Sequence, residues 1–377
     1  MEQIKALEVW FDNKKVGTMA LTADRQAAFQ YTKDWIASGF SISPLSLPLE
    51  SKVFYPKNDA FDGLFGVFDD SLPDGWGRLL TDRKLIKLGI DPGSITVLHR
   101  LALTGETGKG ALQYRPVIKL ENDPVSLSFD EIAEECKRLS DSRDTENLDE
   151  LYRLGGSSGG ARPKVLVKEN DQDWIVKFPS SHYDPKDVGL LEYRYNLCAG
   201  RCGIEVPEVK LFPSEICAGY FGVKRFDRIK KDGAVKRIHM LSAAGLLEVS
   251  WRMPSLDYIT LMQLTMFLTR DFSELEKMYR LMCFNVFAHN QDDHAKNFSW
   301  LYRNGKGSLS PAYDLTYNTS YYGEHTTSVN GNGKDPGIDD LFAVAKKFSL
   351  APDFYKPTAE MIRDIVNEDL SDILMSK

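Results

Sequence analysis

Three side chains, Asp292, Asn297 and Asp314, constrain this chain more than anything else in it. They stand in Asp292-Asp293-His294-Ala295-Lys296-Asn297 and in Pro311-Ala312-Tyr313-Asp314-Leu315. An Asp five residues before an Asn, with a second Asp twenty-two residues after the first, is the set that phosphoryl transfer needs. One carboxylate orients the attacking hydroxyl, while an amide oxygen and the other carboxylate hold Mg²⁺ against nucleotide phosphates. The apolar run 281–288 predicts a buried helix that delivers a loop at His289-Asn290-Gln291. Residues 298–302, the Asn304-Gly305 pair and residues 308–310 predict a hairpin whose far arm returns Asp314 beside Asn297. Asp and Asn also gather in ordinary loops, because they cap helices and make turns. The same region reads as a metal hydrolase too, with His289, Asp292, Asp293, His294 and Asp314 around an activated water. From this segment alone, all three readings stay open.

Phosphoryl transfer asks for a nucleotide cradle upstream, and residues 154–164 supply a candidate. Leu154-Gly155-Gly156-Ser157-Ser158-Gly159-Gly160-Ala161-Arg162-Pro163-Lys164 is rich in glycine, which lets backbone amides approach phosphate oxygens. It is not the G-x-x-x-x-G-K-[ST] loop, since Pro163 precedes Lys164 and Val165 follows it. A flexible linker has similar composition. Residues 165–168 and 174–178 flank a polar turn, which predicts a hairpin with Lys177 late on its second strand. A helix is expected over 188–197, with Glu192 placed to orient Lys177 by an ion pair.

Taken with Gly159-Gly160-Ala161-Arg162-Pro163-Lys164, the stretches Val223-Lys224-Arg225-Phe226-Asp227-Arg228, Asp292–Ser299 and Pro311–Leu315 resemble the HipA-type serine/threonine kinases of bacterial toxin–antitoxin systems. Residues 66–78 and 107–116 resemble the amino-terminal subdomain of that family, so the likeness runs from about Leu7 to Leu315. The resemblance implies an α+β, protein-kinase-like bilobal fold: a β-rich lobe with an extra amino-terminal subdomain, and a mainly helical lobe. It implies an amino-terminal subdomain at 1–120, a nucleotide-binding lobe at 121–228 and a helical lobe at 229–377.

The same resemblance implies Asp292 as catalytic base and Asn297 and Asp314 as Mg²⁺ ligands. Gly159, Gly160, Ala161, Arg162, Pro163 and Lys164 would form the phosphate-covering loop, and Lys177 would reach the phosphates. Lys224, Arg225 and Phe226 would be the adenine hinge, with Lys224 standing where an acidic residue is familiar. His294, Lys296 and Tyr313 would lie against the nucleotide. Ser157 or Ser158 would be autophosphorylated. ATP, Mg²⁺, a protein substrate bearing Ser or Thr (of the class of an aminoacyl-tRNA synthetase) and a small DNA-binding HipB-like antitoxin would be its partners. A binding protein on the same scaffold, acting through an antitoxin or repressor, is the alternative; a metal-dependent phosphohydrolase is the other.

Charge and composition bound these readings. With 47 basic and 54 acidic residues the net charge is −7, which argues against non-specific nucleic-acid binding by the whole surface; contact with DNA is expected only through the antitoxin. The five cysteines are scattered and read as buried thiols, suited to a reducing compartment. Residues 1–5 carry no basic region followed by an apolar core, and the apolar window 259–268 is too short to span a bilayer, so a cytoplasmic protein is expected.

Local patterns predict a hairpin over 7–21, extended chain over 40–53, and helices over 76–88, 129–139, 241–247, 258–269, 272–288 and 353–374. Ser128 is the expected cap of the second of these helices, residues 121–124 a linker, 141–147 a charged loop and 321–336 a mobile loop.

Overall fold

In the computed structural model, which describes residues 1, 3–120, 125–180, 184–231, 233–320 and 323–375, the chain divides into two compact units. The expected linker at 121–124 lies outside the described residues. The first unit comprises Met1–Gly189, Leu211–Leu241 and Gly245–Glu248; the second comprises Leu190–Lys210, Ser242–Ala244 and Val249–Lys377.

The first unit opens with an antiparallel sheet in which Val53–Phe54, Ala27–Tyr31, Lys14–Leu21, Ala6–Phe11 and Leu112–Arg115 lie side by side in that order. Leu7 and Val9 on one strand, and Ala27, Phe29 and Tyr31 on another, are buried with the period of two that a one-sided sheet demands. Gly17 is obligatory there, because a Cβ would lie 2.4 Å from the Phe29 ring. Residues 40–53 depart from the extended chain expected of them. Pro44 and Pro48 cannot donate to a ladder, and the segment instead wraps the Tyr31 hydroxyl, which donates to Leu47 O at 2.8 Å and accepts from Ile42 N at 3.1 Å.

A second antiparallel sheet carries Lys164–Glu169, Gln172–Lys177 and Tyr220–Lys224 as consecutive neighbours. Asn170 and Asp171, at φ of 50° and 59°, make the tight turn of its hairpin. The sheet is covered by the helix Phe129–Ser140, whose Ser128 cap accepts from Glu131 N, and by the helix Leu148–Gly155. The latter begins directly after the expected charged loop and was masked in sequence by the glycines that end it. One core unites Trp76 and Leu80, from the helix Gly75–Lys87, with Ile132, Leu151, Val165, Trp174 and Val176. Buried Lys84 of the same helix pairs with Asp149 at 2.8 Å.

The second unit is mainly helical: Tyr258–Thr269, Phe272–Phe287, Ile338–Lys347 and Pro352–Leu374. Asp257 and Asp271 cap the first two by accepting from Ile259 N and Ser273 N. The hairpin Ser299–Arg303 with Lys306–Leu309 turns on Asn304 and Gly305, both left-handed, as a two-residue loop requires. Where a helix was expected over 241–247, a strand His239–Ser242 leads into a shorter helix, Ala243–Leu247. Among the described residues, no helix is long and apolar enough to cross a membrane.

His239 in the first unit makes a pH test. Its Nε2–H donates to Ile42 O at 2.8 Å, Nδ1 finds no partner among the described residues, and burial pushes the imidazole down to about 4. An unfolded histidine takes up its proton near 6.5, so the unfolded chain binds a proton that the folded chain refuses until about pH 4. Stability is full above pH 6.5 and falls as pH drops toward 4, by roughly 3 kcal/mol from this one group. Urea unfolding across that range should show the fall, and His239→Leu should lose that part of the slope although it starts less stable.

Candidate active site

In the second unit, the loop that leaves the helix Phe272–Phe287 is built around a buried carboxylate. Asp293 is 1% exposed; its Oδ2 accepts from the Tyr258 hydroxyl and from His325 Nδ1, each at 3.0 Å, and its Oδ1 from Thr327 N at 3.0 Å. The Thr327 hydroxyl donates to the Asp293 carbonyl. Tyr258 in turn accepts from Asn285 Nδ2 at 2.9 Å, and Asn285 Oδ1 accepts from Asn290 Nδ2 at 2.9 Å. Burial, with the neighbouring Asp293 charge, holds the Tyr258 phenol well above its usual pKa, so it stays a donor. Asp293 is therefore spent on architecture, while the adjacent Asp292 is half-buried.

Asn297 closes that loop by donating Nδ2 to the Asp292 carbonyl at 2.7 Å, across the short 3₁₀ turn Ala295–Asn297. This bond uses the amide nitrogen and not the amide oxygen. Trp251 packs against His294 with ring centroids 5.2 Å apart and planes tilted by 47°, and Lys296 Nζ lies 5.8 Å over the same indole. The segment carrying Asp314 is pinned at both ends. Upstream, the Tyr313 hydroxyl donates to Lys296 O and accepts from Ser299 Oγ, both at 2.6 Å. Downstream, Asn318 pairs with Asn290, its N–H on His289 O at 3.2 Å and its carbonyl accepting from Gln291 N at 3.0 Å. Asp314 lies between these pins at φ 54°, a left-handed conformation that Asp tolerates better than most residues.

The expected mobile loop at 321–336 is different in its described part. His325, Thr327 and Val329 are buried, Thr326 N bonds Gln291 O at 3.1 Å, and Thr327–Ser328 pairs in parallel with Leu256–Asp257. The segment is a clamp on the Asp292 loop, because its polar side chains find their partners there. Among the described residues, no three His, Cys, Asp or Glu side chains gather as a metal-ligand set. With Asp293 saturated by three donors, the five-ligand hydrolase arrangement is not formed.

In the first unit, Lys164 and Lys177 face each other across the hairpin, at the end where the glycine-rich loop enters. Lys164 Nζ folds back onto Gly159 O at 2.6 Å, and Lys177 Nζ stands 5.6 Å over the Phe221 ring. Ser158 is buried with its hydroxyl on Gly155 O at 2.6 Å, whereas Ser157 is only partly covered. Ala161 is exposed, Arg162 half-buried and Pro163 buried, the last accepting from Phe178 N at 2.8 Å.

At the end of the Tyr220–Lys224 strand, Arg225 N donates to Asp173 O, and the Arg225 guanidinium bonds both Asp227 oxygens, at 2.9 and 2.7 Å. Asp227 also accepts from Arg228 at 2.9 Å and from Gly110 N at 2.8 Å. Burial alone would raise the Asp227 pKa, yet the two guanidiniums hold it far below the carboxylate range; burial pushes Arg228 down to about 9. Tyr258, His325, Thr327, Trp251 and Asp227 were missed as a supporting set. Only Asn285, a polar residue within an apolar helix, could have signalled it.

The neighbouring acids of the loop should behave oppositely. Asp293→Asn should cost about 2–3 kcal/mol in chemical unfolding, since it strips a buried donor set of its acceptor charge. Asp292→Ala, at a half-buried position, should cost less than that. Equal losses in the two variants would contradict this division of labour.

Residues 7–115 match the HipA N-terminal domain and residues 156–372 match the HipA-like C-terminal domain. A Sinorhizobium fredii (strain NBRC 101917 / NGR234) protein named as a candidate kinase, Y4mE, is 26% identical over 356 residues, spanning 84% of this chain and 78% of its own. A chain from the Shewanella oneidensis MR-1 toxin–antitoxin complex of HipA, HipB and operator DNA superposes with a TM-score of 0.71 at 20% identity, over 98% of this chain and 91% of that one. The Helicobacter pylori proinflammatory kinase CtkA aligns at a TM-score of 0.37 and 12% identity, over 55% of this chain and 90% of its own. The superposition on the HipA chain thus gives the α+β fold that the sequence led one to expect.

Proposed function

This chain belongs to the HipA family of kinases, and from that premise we propose that it transfers the γ-phosphoryl of Mg·ATP to a Ser or Thr hydroxyl of a protein substrate. The observation that carries this reading is the loop in which Asn297 closes on the Asp292 carbonyl while Asp314 is pinned alongside. Asp292 orients the acceptor hydroxyl and takes up its proton. The Asn297 amide oxygen and the Asp314 carboxylate are hard oxygen donors, a set that fits Mg²⁺. When bound, the cation supplies charge neutralisation at the phosphates. Lys177, oriented by Glu192, and Lys164 complete that neutralisation, with Gly159, Gly160, Ala161, Arg162 and Pro163 shaping the covering loop. Backbone at Lys224 and Phe226 receives the base, for Arg225 is committed to Asp227 and Asp173. His294, Lys296 and Tyr313 flank the nucleotide.

Ser157 is the proposed autophosphorylation site, supported by its partial exposure beside a Ser158 whose hydroxyl is engaged. A small HipB-like DNA-binding antitoxin is the proposed partner, with DNA reached only through it, and an aminoacyl-tRNA synthetase represents the substrate class. The reading includes a cytoplasmic location and the partition at 1–120, 121–228 and 229–377.

Intact mass with and without Mg·ATP tests it directly. One added phosphate on Ser157, absent in Asp292→Ala, is expected; no gain and no turnover on any added protein would leave a binding module instead. Asp292→Ala and Asp314→Ala should each lower turnover by about three orders of magnitude. Retention of more than a tenth of parental turnover in either would overturn the assignment. Lys177→Ala should weaken nucleotide binding as well as turnover.

A further inference from the structure

The glycine-rich loop is docked on a helix start in the amino-terminal part of the first unit. Asp74 occupies the N-cap position of the helix Gly75–Lys87, yet its side chain bonds none of that helix's amides. Its Oδ1 accepts instead from Gly160 N, eighty-six residues away, while Trp76 N donates to Gly160 O at 3.0 Å. The fit has no clearance. A Cβ on Gly75, at φ 39°, would lie 2.6 Å from Ala161 Cα, and one on Gly77 would lie 2.3 Å from Ser158 O. Lys109 closes the other side, its Nζ 2.9 Å from where a Cβ on Gly159 would sit. Lys109 is fixed in turn by the neighbouring Gly110 N–H on the Asp227 carboxylate.

In this conformation two phosphate-binding groups of the loop already hold substitutes from the protein. The Gly160 N–H, a natural donor to a phosphate oxygen, holds a carboxylate. The Lys164 ammonium holds the Gly159 carbonyl. We infer that Asp74 is a positioning residue that competes with nucleotide phosphate for the glycine-rich loop, keeping it withdrawn on the amino-terminal subdomain until ATP displaces it. The inference rests on the kinase reading above. Such competition raises the apparent dissociation constant for nucleotide by the fraction of time the loop is docked, and leaves the chemical step at saturation untouched. A purely structural Asp74 does the opposite: its loss loosens the cradle and weakens binding.

Two substitutions undock the loop by independent means. Asp74→Asn keeps the shape and removes the charge. Gly77→Ala leaves Asp74 in place and drives a methyl into Ser158 O, at a helix position where Ala is intrinsically preferred to Gly. Calorimetric titration of the full chain with Mg²⁺ and the imido analogue of ATP should show both variants binding at least about five-fold tighter than the parent. Steady-state kinetics should show KM for ATP falling with kcat unchanged. If the parent binds and the folded variants bind equally or more weakly, the competition is overturned and the kinase reading stands. If the parent binds no nucleotide, both are overturned. Should Gly77→Ala fail to fold, Asp74→Asn decides alone.

Discussion

A carboxylate with almost no exposure, Asp293, is the interaction on which the Asp292–Asn297 loop depends. Burying a charge costs several kcal/mol unless its lone pairs are filled, and Tyr258, His325 and Thr327 fill them. Because those donors come from two separate stretches, satisfying one charge ties the start of one helix and the segment after Asp314 to the loop itself in a single arrangement. Asp292 is the residue beside it and inherits a backbone position fixed by those bonds. The pairing of Asn318 with Asn290 and the bond from Tyr313 to Lys296 extend the same logic to Asp314.

The first unit uses charge in a related way. Asp227 sits between Arg225 and Arg228 and takes the Gly110 amide, so the turn at 107–110 is locked to the end of the strand that bears the proposed hinge. Lys109 extends from that turn over Gly159, and Asp74 reaches the next residue from another direction. The shared core of Trp76, Leu80, Val165 and Trp174 shows why these contacts persist. The helix that presents Asp74 is packed against the very sheet from which the glycine-rich loop emerges. The amino-terminal segment thus packs directly against the glycine-rich loop.

Much of this was legible beforehand where a local rule was sufficient. The hairpins at Asn170-Asp171 and Asn304-Gly305 follow from residues that accept positive φ, and the helices at 258–269 and 272–287 from apolar runs opened by Asp caps. The stretch 40–53 misled because its alternation of apolar and polar residues suited a strand while its prolines forbade one. The segment 325–329 misled because glycines on either side suggest looseness, whereas the partners that bury His325 and Thr327 lie more than thirty residues away.

What the sequence determined by itself was the chemistry at hand: the identities and spacing of Asp292, Asn297, Asp314 and the glycine-rich loop, and with them the family. These are covalent facts, and spacing along a loop bounds which side chains can act together. Only the tertiary structure decided which of two adjacent acids is fully buried, and what the loop amides bind. Those outcomes turn on which distant donors arrive to offset the desolvation of a charge. Asp292 and Asp293 are chemically identical in the sequence; three donors from elsewhere in the chain make them different.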